Sequence, residues 1–181
     1  RRRRVREEGA HLSRRVGMGT RELVFGALLV ALALIIPLAF GGFLGVVVPP
    51  FSATLASHVP VMISMLLGPW AAVLVGFGSA LGFLVKLGPV IAARAAMHAV
   101  FAGAGAVFVK RGMPFWKALL WTLPVHAFTE ALIVLPFGFT LERAGVVVGL
   151  GTALHHLVDA GIALAVVRAV GLAQRSLGKT S

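Results

Sequence analysis

The chain contains no cysteine and no tyrosine. Without thiols there is no disulfide framework, no thiolate metal site and no cysteine nucleophile. Acidic residues are scarce, six against 17 lysines and arginines. From Leu23 to Val85 there is no Asp, Glu, Lys or Arg at all, and His58 is the one ionisable side chain there. A Gly-x-x-x-x-Gly-Lys-Ser/Thr phosphate loop is missing too, which excludes ATP hydrolysis by that route. Neither a Ser-His-Asp nor a His-Glu-x-x-His signature is present, so two common hydrolytic chemistries find no footing.

What is present is apolar. Of 181 residues 59% are hydrophobic and 13% charged, with a mean hydropathy of +0.96. That is too apolar for a soluble domain of this size and fits an integral membrane protein. The net charge of +11 raises the question of nucleic acid. Most of the basic charges, however, sit at the two ends and in one internal basic stretch, Lys110, Arg111 and Lys117. That distribution follows the positive-inside rule rather than a binding stripe, so no nucleic-acid partner is expected.

Because charge cannot divide the apolar stretch, glycine and proline must. They mark six helices: about Glu22 to Phe40, Phe51 to Leu67, Trp70 to Lys86, Val90 to Val109, Phe115 to Leu135 with a kink at Pro124, and Ala144 to Val170. Gly41, Gly42, Gly45, Pro49 and Pro50 form an apolar outer loop between the first two. The expected fold class is an all-α integral membrane protein, a bundle of six transmembrane helices with both termini cytoplasmic. Residues 1–21 form a basic cytoplasmic tail, 22–170 the membrane domain and 171–181 a second cytoplasmic tail.

The polar residues inside this apolar frame are unevenly spread. Arg94 and His98 stand four apart in an otherwise apolar run, so a helix presents both on one face. An arginine in a bilayer costs roughly 2.5–3.5 kcal/mol on insertion scales, so it must face the interior and have a partner. His126 and Glu130 repeat the spacing in the fifth helix, and His155 and Asp159 repeat it in the sixth, beside His156. The second helix offers Ser52, Thr54, Ser57 and His58. The bland reading is that Arg94 pairs with Glu130 or Asp159 and staples helices together, a pairing often neutral for stability. The sharper reading is that Arg94 receives the carboxylate of a small anionic ligand, which its planar fork suits. His98 would act beside it, with His126 and Glu130 orienting a ring nitrogen or hydroxyl. His58 and His156 read as helix-to-helix hydrogen bonds. A metal site ranks below the organic anion, because no dense His-x-His cluster exists and Arg94 would repel a cation. In the first helix, Ala27 and Ala31 lie on one small-residue face that lets another helix approach closely.

Several stretches carry a family resemblance: Ser52-Ala-Thr-Leu-Ala-Ser-His58-Val-Pro60, Met65-Leu-Leu-Gly-Pro69, Gly78-Ser-Ala-Leu-Gly-Phe83 and Arg94-Ala-Ala-Met-His98-Ala-Val-Phe101. Together with the basic N-terminal segment and the Ala-xxx-Ala first helix, they resemble the substrate-binding S components of energy-coupling factor (ECF) vitamin transporters, and most nearly the niacin-type S components. The resemblance covers roughly residues 20–170. It implies a six-helix fold with an outward-facing cavity above helices four to six, lidded by the loop Gly41 to Pro50. It implies nicotinate as the vitamin, held by Arg94, His98, His126, Glu130, His155 and Asp159. It implies docking through Ala27 and Ala31 on a transmembrane coupling protein that works with two ATP-binding-cassette ATPases. The S component would carry its ligand across the prokaryotic cell membrane by toppling. No cofactor is then expected in this chain, ATP being hydrolysed by the partners. The competing functions are a stand-alone proton-coupled carrier of a small organic anion, relaying protons through Glu130, Asp159 and the histidines, and a membrane enzyme using the same groups. The carrier would be supported by inverted repeats, and no internal repeat is visible.

Overall fold

The computed structural model describes residues 19–177; the arginine-rich segment 1–18 and residues 178–181 lie outside the described residues. Helix α1 runs Thr20–Phe40, opening where Gly19 N–H donates to the Glu22 carboxylate. A β-hairpin follows, β1 Gly45–Val48 and β2 Phe51–Thr54, antiparallel with Gly45 opposite Thr54 and Val48 opposite Phe51. Then come α2 Val59–Ser64, α3 Pro69–Leu87, α4 Pro89–Ala96, α5 His98–Lys110 and α6 Phe115–Ile133. A single 3-10 turn, Leu135–Phe137, and a π-helical segment, Arg143–Leu150, lead into α7, Gly151–Leu177.

Four helical tracts are long and apolar enough to cross a membrane: Thr20–Phe40, Pro89–Lys110, Phe115–Phe137 and Arg143–Gly171. The apolar helix Pro69–Val85 is shorter. Large apolar side chains cover the outside, Leu81, Val85, Trp121 and Leu154 among them. On a soluble surface such a coat would drive aggregation; in a bilayer it meets lipid. The protein is a helical membrane protein.

One sequence expectation fails here. The run Phe51 to Leu67 is not a spanning helix, and one two-stranded hairpin interrupts an otherwise helical fold. Phe51–Thr54 is a strand, and α2 has six residues, a rise of ~9 Å against the ~30 Å of a hydrocarbon core. The cause lies in the preceding loop. Val46, Val47 and Val48 are β-branched and favour extended backbone, and Pro49-Pro50 makes a tight turn that hands Phe51 back as a paired strand. A hydropathy reading sees only that the run is apolar. The fourth helix is also divided, α4 and α5 meeting at Met97, where the ladder tightens as Met97 N–H donates to the Arg94 carbonyl at 2.9 Å. The sixth begins as the π-helical segment and continues past Val170 to Leu177.

Glycines set the closest helix approaches. On α3, Gly78 and Gly82 receive Val30 and Leu34 of α1, where any Cβ would overlap those side chains. Gly76 lies against the backbone of His98 and Ala99 at the start of α5, with no room for a methyl group. The main core gathers Phe101, Met62, Met65, Val75, Leu119 and Ala163, from α2, α3, α5, α6 and α7.

Candidate functional site

Ten of the buried polar or charged residues meet between the hairpin and helices α3 to α7. Glu130, on α6, is the hub. Its Oε2 accepts from Arg94 Nη2 at 2.6 Å, Arg94 Nε at 3.1 Å and Thr152 Oγ1 at 2.7 Å. Its Oε1 lies 3.2 Å from His126 Nε2 and 3.3 Å from His98 Nε2. Arg94 Nη1 donates to the Pro50 carbonyl at 2.9 Å, tying the tip of the hairpin to α4, and its guanidinium faces the Phe51 ring at 5.2 Å. An arginine has five N–H donors, and these bonds engage three. Two are left for a further acceptor.

The imidazoles form two branches from this hub. His98 Nε2 is 3.0 Å from His58 Nε2, and His98 Nδ1 is 3.2 Å from Ser79 Oγ, which itself donates to the Gly76 carbonyl at 2.7 Å. His126 Nδ1 is 3.0 Å from His156 Nδ1, and His156 Nε2 donates to the Leu119 carbonyl at 2.9 Å. Phe101 stacks on His126 with ring centroids 4.0 Å apart, walling off this branch with carbon.

Asp159, on α7, holds the loop that carries His58. Its Oδ1 accepts from Ala56 N–H at 2.8 Å and its Oδ2 from His58 N–H at 2.9 Å. Ala56 stands at φ 67°, a region a non-glycine residue enters only when its surroundings hold it there; the two charge-assisted bonds are such a hold. His155 Nε2 donates to the Thr54 carbonyl at 3.0 Å and lies 3.1 Å from Asp159 Oδ2. His58 Nδ1 is 3.2 Å from the same oxygen, off the hydrogen-bond axis.

A cavity of about 560 Å³ opens above these groups, within the usual range for small-molecule sites. The hairpin and the C-terminal end of α1 form one wall, with Phe83, Val90, Ile91 and Phe139 adding carbon. Arg94, His98, Glu130, His58 and His155 are its ionisable residues, with Ser52, Thr54 and Ser57 also lining it.

Of the six residues singled out from the sequence, Arg94, His98, His126 and Glu130 are within hydrogen-bonding reach of one another through Glu130. His155 and Asp159 form a neighbouring group. Arg94 does pair with Glu130, and it also lines the cavity. His126 and Asp159 stand behind the cavity wall rather than in it. His58, read from the sequence as a helix-to-helix bond, lies at the centre, its ring within 4.7 Å of those of His98, His126 and His155. Its isolation in a charge-free stretch is the signal that marked it. Ser79, Thr152 and the Pro50 carbonyl carried no such signal. Ala27 and Ala31 are exposed on α1, on a face that also presents Leu23, Val24, Leu28 and Ile35. His58, His98, His126 and Glu130 bring four ligand atoms close enough together to hold a metal ion.

No protein-family model and no solved structure matches the chain. Among curated proteins it is similar to the niacin transporter NiaX of Lactococcus lactis subsp. cremoris (strain MG1363), at 32% identity over 161 residues, covering 80% of this chain and 72% of that protein.

Proposed function

This chain belongs to the niacin-type S components of ECF transporters, the family of NiaX, and on that premise we propose that it is the nicotinate-capturing subunit of an ECF-type importer. The observation that carries the reading is Arg94, buried in the wall of the cavity with two N–H groups beyond those that Glu130 and Pro50 engage. A carboxylate arriving from the cavity meets a desolvated guanidinium, where charge-assisted bonds are strongest. The ring of nicotinate would lie among Phe51, Phe83 and Phe139, with His98 or His155 near its nitrogen. His126 and Asp159 act from behind, holding Glu130 and the His58 loop in place.

The hairpin is the lid, tied down through the Pro50 carbonyl. On this reading both termini lie in the cytoplasm of a prokaryotic cell, with the basic loop Lys110 to Lys117 on the same side and tails at 1–21 and 171–181, as the distribution of Lys and Arg supports. Exposed Ala27 and Ala31 form the docking face for the coupling protein, whose two ATPases supply the energy. Toppling of the whole subunit delivers the vitamin. The chain is a binding subunit, not an enzyme.

Equilibrium dialysis of the purified chain tests this. Nicotinate should bind 10- to 100-fold more tightly than nicotinamide, about 1.5–3 kcal/mol for a hydrogen bond to a charged group. Arg94→Lys keeps the charge and loses the fork, and should weaken nicotinate tenfold or more while leaving nicotinamide nearly unchanged. Equal affinities for the two vitamins would remove the carboxylate from the argument. Uptake that persists without the coupling protein and collapses with a protonophore would favour the proton-coupled carrier instead.

A further inference from the structure

We propose that His58, His98, His126 and Glu130 form a binding site for one divalent transition-metal ion, of which Zn2+ is the best match, at the floor of the cavity. The first argument is a count of protons. A hydrogen bond needs one proton between its two heavy atoms. From the Leu119 carbonyl through His156 and His126 to Glu130 Oε1 there are three contacts at 2.9–3.2 Å. Two singly protonated imidazoles and a carboxylate supply two protons. From the Gly76 carbonyl through Ser79 to His98, whose Nε2 faces both His58 Nε2 and Glu130 Oε1, there are four contacts, at 2.7, 3.2, 3.0 and 3.3 Å. One hydroxyl and two imidazoles supply three. Each branch is short by one positive charge.

One divalent ion closes both deficits. Place a proton on His156 Nε2, where the Leu119 carbonyl requires it, and on His126 Nδ1, which donates to His156. Place one on His98 Nδ1, which donates to Ser79 as Ser79 donates to Gly76, and one on His58 Nδ1 facing Asp159. Every imidazole then carries one proton; His156, His126 and His98 each have an acceptor for it, and His58 Nδ1 lies 3.2 Å from Asp159 Oδ2. What remains is three Nε2 lone pairs and Glu130 Oε1 converging on one point. Lone pairs 3.0–3.3 Å apart repel unless something positive lies between them.

The geometry fits. Ligands at ~2.0–2.1 Å in a tetrahedron stand about 3.3 Å from one another, and three of the six edges here are 3.0, 3.2 and 3.3 Å, with all four atoms within 4.8 Å. The imidazole rings of His58, His98 and His126 are near-perpendicular in every pair, at 82–90°, with centroids 4.6–5.3 Å apart. That is how three rings surround a shared ion. Metal-bound histidines usually donate their second N–H to a carboxylate, carbonyl or hydroxyl, and ligating carboxylates are themselves hydrogen-bonded. His98 with Ser79 and Glu130 Oε2 with Arg94 and Thr152 reproduce that pattern; His126 reaches the Leu119 carbonyl through His156, and His58 Nδ1 faces the Asp159 carboxylate at 3.2 Å. Arg94 sits on the far oxygen of Glu130, so it supports the carboxylate rather than competing with the cation. His155 is excluded as a ligand because its Nε2 proton is committed to the Thr54 carbonyl.

The ion also balances charge. Arg94 against Glu130 and Asp159 leaves one negative charge, and a divalent ion turns this to one positive. Resting on the reading of the cavity as a nicotinate site, a monocarboxylate then makes the pocket neutral.

The experiment uses the full chain in detergent, purified without a polyhistidine tag, stripped with a chelator and dialysed against Zn2+ or Co2+ alone. Elemental analysis should find one Zn2+ per chain. Zn2+ at 100 times its dissociation constant should raise the melting temperature by about 5–10 °C, and Co2+ should give the intense visible bands of four-coordinate geometry. His58→Gln and His126→Gln, each melting within a few degrees of the stripped wild type, should lower metal affinity at least 100-fold. A chain that takes up no ion and melts unchanged in excess Zn2+ overturns the proposal, and would mean that two extra protons fill the deficit. Metal uptake undiminished in both variants overturns it equally. Nicotinate dialysis on the loaded protein is scored separately: no nicotinate binding with one Zn2+ bound refutes the vitamin and leaves the metal standing.

Discussion

Helix α1 and the tract formed by α4 and α5 have nearly the same length, 21 and 22 residues, and both are apolar enough to span a bilayer, yet over an apolar 18-residue stretch of each, 11% of the first and 50% of the second is buried. α1 turns only Gly26 and Ala33 fully inward; the α4–α5 tract turns in Arg94, His98 and Phe101. The difference teaches that one chain can divide its work between two surfaces. The buried tract, with α6 and α7, encloses chemistry. The exposed helix lends the cavity only its C-terminal end, Pro37 and Leu38, and packs on a seam of glycines on α3, which leaves most of its face for lipid or a partner.

The sharpest way to break this contrast is to remove the charge pairing from the enclosed side. Glu130→Leu leaves Arg94 buried without its partner and should cost about 3–5 kcal/mol, read as a large drop in melting temperature in detergent. Arg94→Leu with Glu130→Leu should recover most of that stability and bind no nicotinate. A double variant as unstable as the single one would show that the pair holds helices together as well as serving a ligand.

A smaller effect is expected at Gly76. A methyl group there overlaps the backbone at Ala99, so Gly76→Ala should cost about 1–3 kcal/mol as overpacking and move His98 away from Glu130. Thermal melting and nicotinate dialysis should both register it. Full affinity in that variant would show that α3 does not fix the position of His98.

The smallest effect on the isolated chain belongs to α1. Ala27→Leu with Ala31→Leu adds carbon to an exposed face, and stability should stay within about 0.5 kcal/mol with nicotinate affinity unchanged. Co-purification with the coupling protein is where the change should appear, as lost assembly. Unchanged assembly would move the docking face off these alanines.

How much of this was legible follows from what each residue reveals alone. Arg94, His98, His126 and Glu130 announce themselves because polar groups in apolar helices are costly, and their paired spacing survives even the break at Met97. The boundaries of α1, α3 and α6 were close because glycine and proline mark them. The hairpin was not legible: an apolar run between prolines reads equally as helix or strand, and β-branching in Val46 to Val48 decides it only once a pairing partner exists. The place of His58 was hidden for a different reason. It meets His98, 40 positions away, and Asp159, 101 positions away, and no local pattern encodes which distant elements touch. Spacing along the chain likewise hides the convergence of His58, His98, His126 and Glu130 in space.

The tie between Arg94 and the Pro50 carbonyl has a last consequence. The acceptor belongs to the main chain, so every amino acid at position 50 supplies it, and sequence drift at the hairpin tip cannot delete the bolt. Only its other half is editable. Whatever molecule engages the guanidinium is therefore felt at the doorway, and the gate and the lock cannot evolve apart.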